Sequence, residues 1–158
     1  MSSEVSATFY DVVQQLRQRY PDDRSAVMGA LRLAQEEHGG WLPPEAIRKV
    51  ADAMEMTPAT VHAVASFYDM YHLEPVGRNV VEVCTNLSCA LAGAQSVVDA
   101  FEETLGVPPG ETTEDGSVTF RLVECAGGCG YAPVVVVNNR YRVDALLEHE
   151  RGELRYCR

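Results

Sequence analysis

The chain has 158 residues, 23 of them acidic and 13 basic, and its formal net charge is −10. Apolar residues make up 46% and charged residues 23%, which is globular rather than disordered composition. The acidic balance repels phosphate backbones and argues against nucleic-acid binding. No cationic start precedes an apolar run at the N-terminus, and the longest aliphatic run, residues 134–137, is far below the ~20 residues of a membrane span. We therefore expect no signal peptide and no membrane insertion.

The first half of the chain has the apolar spacing of four helices. The first is predicted over residues 11–20, and the second begins at 21–23 and ends at Gly39-Gly40. The third begins at 43–45, and the fourth has Thr57 as its N-cap and Pro58 in its first turn. Among the residues predicted to face inward are Phe9, Val13, Leu16, Tyr20, Val27, Ala30, Leu31, Ala34, Ile47, Val50, Ala51, Met54, Val61, Val64, Ala65 and Tyr68, and Phe67 and Tyr71 are predicted to be packing aromatics.

After Pro75-Val76-Gly77 the pattern changes to that of a small α/β domain. Strands are predicted at 79–83, 118–122, 134–137 and 141–143, with helices at 90–105 and near 144–150. Val118, Phe120 and Leu122 alternate and predict one buried strand face, and Asn138-Asn139 predicts a hairpin turn. The predicted fold class is α+β (α/β), with an N-terminal helical bundle (residues 1–77) followed by a β-α-β-β-β-α domain (residues 78–158).

Four of the five cysteines form two closely spaced pairs, each at the end of a predicted strand. The pairs are Cys84-x4-Cys89 and Cys125-x3-Cys129. A [2Fe–2S] cluster has two tetrahedral irons that share two sulfides, so each iron needs two protein ligands. Two separated thiolate pairs meet that requirement and favour such a cluster. Structural zinc and a redox disulfide are the alternatives, although both prefer C-x2-C spacing.

Neither cysteine loop contains Lys or Arg, so backbone N–H groups must neutralise the charge of the thiolates. Gly127, Gly128 and Gly130 permit a close approach of the backbone. Cys89 is expected at the N-terminus of a helix, whose dipole favours thiolate. The fifth cysteine, Cys157, is interpreted as a bystander, and the four histidines show no metal-ligand spacing.

Several motifs resemble one family. Ala65-Ser66-Phe67-Tyr68, Val83-Cys84-x4-Cys89, the stretch from Leu105-Gly106 through Pro109-Gly110-Glu111-Thr112-Thr113 to Asp115-Gly116, and Val123-Glu124-Cys125-x3-Cys129-x3-Pro133 occur in its order. Over residues 8–143 the chain resembles the thioredoxin-like [2Fe–2S] subunits of NADH:quinone oxidoreductase, respiratory complex I. Ala126 departs from the family, which usually has Leu after the third cysteine.

The resemblance implies a thioredoxin-like fold with one [2Fe–2S] cluster bound by Cys84, Cys89, Cys125 and Cys129. It implies an electron-transfer subunit that takes one electron from the flavin of a neighbouring subunit and has no catalysis of its own. FMN and NADH are expected on that partner, and a larger iron–sulfur subunit is a second expected partner. The expected location is the cytoplasm, or the cytoplasmic face of the inner membrane within a peripheral arm. The alternatives are the gamma subunit of an NAD-linked formate dehydrogenase or NAD-reducing hydrogenase, and a free ferredoxin-like carrier.

Overall fold

A computed structural model of the protein describes residues 8–142. The chain divides into two compact units between Pro75 and Val76. In the first unit the elements are α1 (Phe9–Arg17), a 3-10 helix (Asp23–Ala26), α2 (Val27–Glu37), α3 (Pro44–Met54) and α4 (Pro58–Phe67). In the second they are β1 (Asn79–Cys84), α5 (Leu87–Leu91), α6 (Ala94–Leu105), β2 (Val118–Val123), a 3-10 helix (Cys129–Tyr131), β3 (Val135–Val137) and β4 (Arg140–Arg142). That these units are the separate domains 1–77 and 78–158 stays a prediction.

The four predicted helices are confirmed, and their ends follow from capping. Thr8 and Asp11 form a reciprocal capping box, so α1 begins at Phe9, two residues before the predicted start. The Thr57 hydroxyl accepts a hydrogen bond from the Thr60 N–H at 3.2 Å and starts α4 as predicted. Apolar faces of the helices form one core, whose fully buried members include Val13, Ala30, Leu31, Ala34, Leu42, Ala46, Val50, Ala51 and Val61.

Three aromatic residues of this unit were predicted to be buried or packed and are exposed instead. Tyr20 is 43% exposed because α1 ends at Arg17, so the helical spacing no longer applies to it. Tyr68 is the extended C-cap of α4 and is 38% exposed, and Phe67 before it is 78% exposed. Tyr71 is buried as predicted, and its hydroxyl donates to the Met28 carbonyl oxygen at 2.8 Å.

The second unit is built on a mixed four-stranded sheet in the order β2-β1-β3-β4. β1 and β2 are parallel, with Cys84 opposite Val123, and β3 is antiparallel to β1. The core of the sheet includes Val81, Val83, Val97, Phe101, Phe120 and Val135. The predicted Asn138-Asn139 turn is confirmed, since both residues have positive φ (49° and 61°), the conformation that two-residue hairpin loops require.

Two predictions in this unit need correction. The helix predicted over 90–105 is two helices, because Gly93 adopts a left-handed conformation (φ 91°) between α5 and α6. Leu122 is 42% exposed, so the buried face of β2 ends at Phe120. At the C-terminal end of β2 the opposite face of the strand is buried instead, and Val123 on that face packs beside the cysteines. The helix predicted near 144–150 lies outside the described residues.

The outer edge of β2 is covered by residues 110–113. The Gly110 N–H donates to the Phe120 carbonyl oxygen at 2.7 Å, and the Phe120 N–H donates to Glu111 at 3.0 Å. The Thr113 N–H donates to Val118 at 2.9 Å. Thr119, 5% exposed, accepts at its hydroxyl from the Gly77 N–H at 2.7 Å, which gives this buried polar group a partner.

Candidate iron–sulfur site

The two cysteine pairs come together because their strands are adjacent and parallel. Cys84 is the last residue of β1, and Cys125 follows the last residue of β2 by two positions. Parallel neighbours end at the same edge of a sheet, so both loops begin side by side. The Thr85 N–H donates to the Val123 carbonyl oxygen at 3.1 Å and holds the two chain exits together.

The first pair lies in an apolar environment. Cys84 is 3% and Cys89 1% exposed, and both pack with Ala94, Val123 and Val134. Between them the Asn86 side chain accepts from the Leu87 N–H at 2.9 Å and caps α5, which carries Cys89. A short capped turn therefore brings Cys89 back to the strand end where Cys84 lies.

The second pair lies in an exposed loop that is shaped by glycines. Cys125 and Cys129 are both exposed. Gly127 has φ +75°, and its N–H donates to the Cys125 Sγ at 3.4 Å. At Gly128 a Cβ atom would lie 3.0 Å from the Val134 Cγ2, so a side chain would push the loop away from the sheet. Nothing lies within 4 Å of a Cβ built on Gly130. The close approach of this backbone to the cluster stays a prediction.

The Cys84 thiol interacts with groups of both cysteine loops. Burial raises its pKa, whereas hydrogen bonding from the backbone at Ala126 and Asn86 lowers it. The neighbouring thiols of Cys89 and Cys125 act in the same direction, so the pKa of Cys84 lies below its ordinary value. Ala126 and Cys125 belong to the second loop, so the two cysteine loops are close enough to interact at the Cys84 thiol.

The Cys89 thiol differs from the prediction made for it. Burial raises its pKa and the nearby Cys84 raises it further, although hydrogen bonding from the backbone at Val134 acts to lower it. Cys89 does lie in the first turn of a helix, as predicted, since it is the third residue of α5. The lowered pKa expected from the helix dipole is not found, because burial and the neighbouring Cys84 raise the pKa instead. Cys129 is also close enough to act electrostatically on Cys89, which connects the fourth thiol to the group.

This donor set fits a two-iron cluster better than a single ion. A zinc ion holds four thiolates at about 2.3 Å, which demands a tight group of side chains. Two irons accept thiolates in two pairs. The loops contain no Lys or Arg, but the Gly127 N–H donates to the Cys125 Sγ and can neutralise charge there.

Sequence reasoning missed the neighbours that organise the two pairs. Asn86 had a local signal, since Asn directly before an apolar helical segment is a common N-cap. Val134, which lies directly before β3 and packs against Cys84 and Cys89, had none, because it is far along the chain from both cysteines. Cys157 and His149 lie outside the described residues, and His38 binds the Ala34 carbonyl oxygen at 2.8 Å through Nδ1.

A helical unit followed by a mixed sheet, with four thiols gathered at one sheet edge, defines a thioredoxin-like protein equipped to hold a metal cluster. The sequence profile of the thioredoxin-like [2Fe–2S] ferredoxins matches residues 13–150. The chain belongs to that family.

Relatives that are named as subunits of NADH-quinone oxidoreductase cover most of the chain. The Rhizobium meliloti protein is 41% identical over 152 residues, which are 92% of this chain and 90% of that one. The Thermus thermophilus protein is 42% identical over 147 residues, covering 87% and 81%. The Mycobacterium bovis protein is 49% identical over 120 residues, which are 76% of this chain and 47% of that one.

Solved structures of an NAD+-reducing [NiFe]-hydrogenase share the fold. In the air-oxidised state the TM-score is 0.59 at 24% identity, covering 78% of this chain and 23% of the hydrogenase chain. In the H2-reduced state the TM-score is 0.62 at 24% identity, covering 81% and 22%. The chain thus spans less than a quarter of those chains. Among the helices of residues 8–142, none has the length and hydropathy that crossing a membrane would take.

Proposed function

We propose that the protein is the [2Fe–2S] electron-transfer subunit of an NADH:quinone oxidoreductase, with Cys84, Cys89, Cys125 and Cys129 as the ligands. The observation that carries the proposal is the parallel register of β1 and β2, which places Cys84 opposite Val123, two residues before Cys125, and so brings the two cysteine loops together. Relatives 41–49% identical that are named as subunits of that enzyme support the same assignment.

When bound, the cluster supplies reversible one-electron transfer. The chain's own contribution is to hold four thiolates at one sheet edge and to surround two of them with apolar side chains. The buried Cys84 and Cys89 keep water from one side of the site, while the exposed Cys125 and Cys129 leave the other side accessible. Backbone N–H donors to the sulfurs stabilise negative charge at the site.

The electron donor in this proposal is a flavin on a partner subunit that also binds NADH. Hydride transfer needs a two-electron acceptor, which a one-electron carrier is not. A larger iron–sulfur subunit is the second proposed partner, and the proposed location is the cytoplasmic face of the inner membrane, within a peripheral arm. These assignments rest on the resemblance to complex I and on the names of the relatives.

The ligand assignment is tested by replacing each of the four cysteines with Ser. Anaerobically purified protein should contain about two irons and two acid-labile sulfides per chain, by the composition of the cluster. Each replacement should weaken or alter the visible and EPR spectra, whereas Cys157→Ser, the matched control, should leave them intact. One zinc per chain without sulfide contradicts the proposal, as does a wild-type spectrum in any of the four variants.

The assembly is tested by affinity purification of the tagged full-length chain from native cells. A flavoprotein that oxidises NADH and reduces quinone should co-purify, and the chain alone should not oxidise NADH. Co-purification of a formate dehydrogenase or a hydrogenase large subunit instead assigns the chain to one of those enzymes. NADH turnover by the isolated chain rules out the role of a carrier.

A further inference from the structure

Tyr141 makes a contact with the second cysteine loop that the ligand assignment does not use. Its hydroxyl donates to the Ala126 carbonyl oxygen at 2.5 Å. Its ring lies over the glycines of the loop, since a Cβ on Gly128 would be 3.5 Å from its Cε1 and one on Gly127 3.7 Å from its hydroxyl. The side chain is 56% exposed, so burial does not account for its placement.

The same tyrosine is fixed to the strand that ends in Cys84. Tyr141 pairs with Val136 across β4 and β3, and Val136 pairs with Glu82 across β3 and β1. Glu82 is two residues before Cys84. Backbone pairing across three strands therefore links the tyrosine to the first cysteine, while its hydroxyl holds the loop that carries the second pair.

The hydrogen bond acts inside the second cysteine loop. The Ala126 carbonyl oxygen accepts from the Tyr141 hydroxyl. The next N–H along the chain, that of Gly127, donates to the Cys125 Sγ. The Ala126 carbonyl that Tyr141 holds and the Gly127 N–H belong to the same peptide group. The orientation of that peptide therefore determines whether the Gly127 N–H points at the Cys125 sulfur.

We propose that Tyr141 is a positioning residue for the cluster, whose hydroxyl fixes the loop between Cys125 and Cys129 so that its backbone N–H groups stay directed at the cysteine sulfurs. This inference rests on the proposed function. N–H donation to sulfur stabilises the more negative reduced cluster, so a loosened loop lowers the reduction potential.

The test compares three variants of the full-length chain by redox titration followed by EPR. Tyr141→Phe removes only the hydroxyl, and we expect it to lower the ratio of reduced to oxidised cluster at a fixed potential by roughly three- to tenfold. Tenfold corresponds to about 59 mV for one electron. Tyr131→Phe is the matched control, because Tyr131 lies two residues from Cys129, is 67% exposed and makes no side-chain hydrogen bond within residues 8–142. Tyr141→Leu removes the ring as well.

A lowered potential in both Tyr141 variants, with Tyr131→Phe unchanged, supports the proposal. Loss of the cluster from Tyr141→Phe but not from Tyr131→Phe also supports the proposal, provided that the far-ultraviolet circular dichroism of Tyr141→Phe stays native. An unchanged potential in Tyr141→Phe overturns it, and so does a shift in Tyr141→Leu only, which assigns the effect to ring packing. An equal shift in Tyr131→Phe also overturns it. A wild-type protein without iron and sulfide overturns the proposed function instead.

Discussion

Arg17 shows how much a single charged side chain does in the helical unit. Its guanidinium donates to the Asp23 carboxylate at 3.0 Å through Nε and to the Glu55 carboxylate at 2.8 Å, and it reaches the Ala53 carbonyl oxygen at 3.3 Å. The side chain is only 13% exposed, although its partners are 50% and 75% exposed. It therefore connects the end of α1 to the 3-10 helix that begins at Asp23 and to Glu55, the residue that follows α3.

We expect Arg17→Gln to lower the free energy of unfolding by about 1 kcal/mol, because several charge-assisted hydrogen bonds are lost and solvent screens the exposed carboxylates. The control is Arg32→Gln, which removes an i,i+4 pair with Glu36 whose side chains are 72% and 62% exposed. That change should cost at most about 0.5 kcal/mol. Urea unfolding of both variants measures the difference, and equal losses contradict the role given to Arg17.

Asp115 provides a dependence on pH. Its carboxylate accepts from the Thr113 hydroxyl at 2.6 Å, the Ser117 hydroxyl at 2.7 Å and the Ser117 N–H at 3.0 Å. The Thr113 hydrogen bond, followed by those of Ser117, lowers the pKa of Asp115 to about 2. Because the folded pKa is below the unfolded value of about 3.9, the stabilisation is present above about pH 4 and is lost as the pH falls towards 2.

We expect Asp115→Asn to be less stable than the wild type above about pH 4, with the difference shrinking at lower pH. Urea unfolding of both proteins is compared at each pH, so that effects common to both cancel. A difference that stays constant between pH 6 and 3 shows that the charge of Asp115 is not what stabilises the turn.

At the scale of elements, the break between α5 and α6 determines where Cys89 lies. Gly93 has φ 91° and ends the five-residue helix that carries the cysteine. We expect Gly93→Ala to cost about 1 kcal/mol of stability, since a side chain disfavours left-handed backbone, and to alter the EPR spectrum by moving α5.

Gly106→Ala is the control, because Gly106 has φ 70° at the other end of α6. It should lower stability similarly and leave the spectrum unchanged, whereas unchanged spectra in both variants show that Gly93 does not position Cys89.

The elements also show what sequence could and could not predict. Helical spacing and capping residues are local, so the four helices of the first unit and the Asn138-Asn139 hairpin were predicted correctly. The split at Gly93 was missed because apolar spacing continues across the glycine. The cysteine spacing predicted which thiols belong together. The contact between Ala126 and Tyr141 depends on the pairing of β1, β3 and β4, which no short stretch of sequence predicts.

At the scale of the whole molecule, the net charge of −10 bears on the cluster. Acidic surroundings disfavour the more negative reduced state, and the cysteine loops contain no Lys or Arg to oppose this. We expect a low reduction potential, so that dithionite reduces the cluster and ascorbate does not. Redox titration of the isolated chain with EPR detection measures it, and reduction by ascorbate contradicts the electrostatic argument.

We expect the two compact units to have different functions. The sheet unit contains all four cysteines of the site, and we predict that the helical unit binds the flavoprotein partner. A fragment that begins at Arg78 should therefore bind that partner much more weakly than the full chain in a pull-down with purified flavoprotein. Its iron and sulfide content serves as the control for folding, and undiminished binding by a fragment that retains its cluster contradicts the assignment.

The covered edge of β2 has a consequence for aggregation. An open strand edge offers unpaired N–H and C=O groups to other chains and can nucleate fibrous assembly. Here residues 110–113 hydrogen-bond to Val118 and Phe120 of β2, and β4 is only three residues long with Arg140 and Arg142 at its ends. Short strands and positive charge are the usual protection of a sheet margin. Within the described residues, pairing between the sheet edges of two copies of this unit is therefore disfavoured.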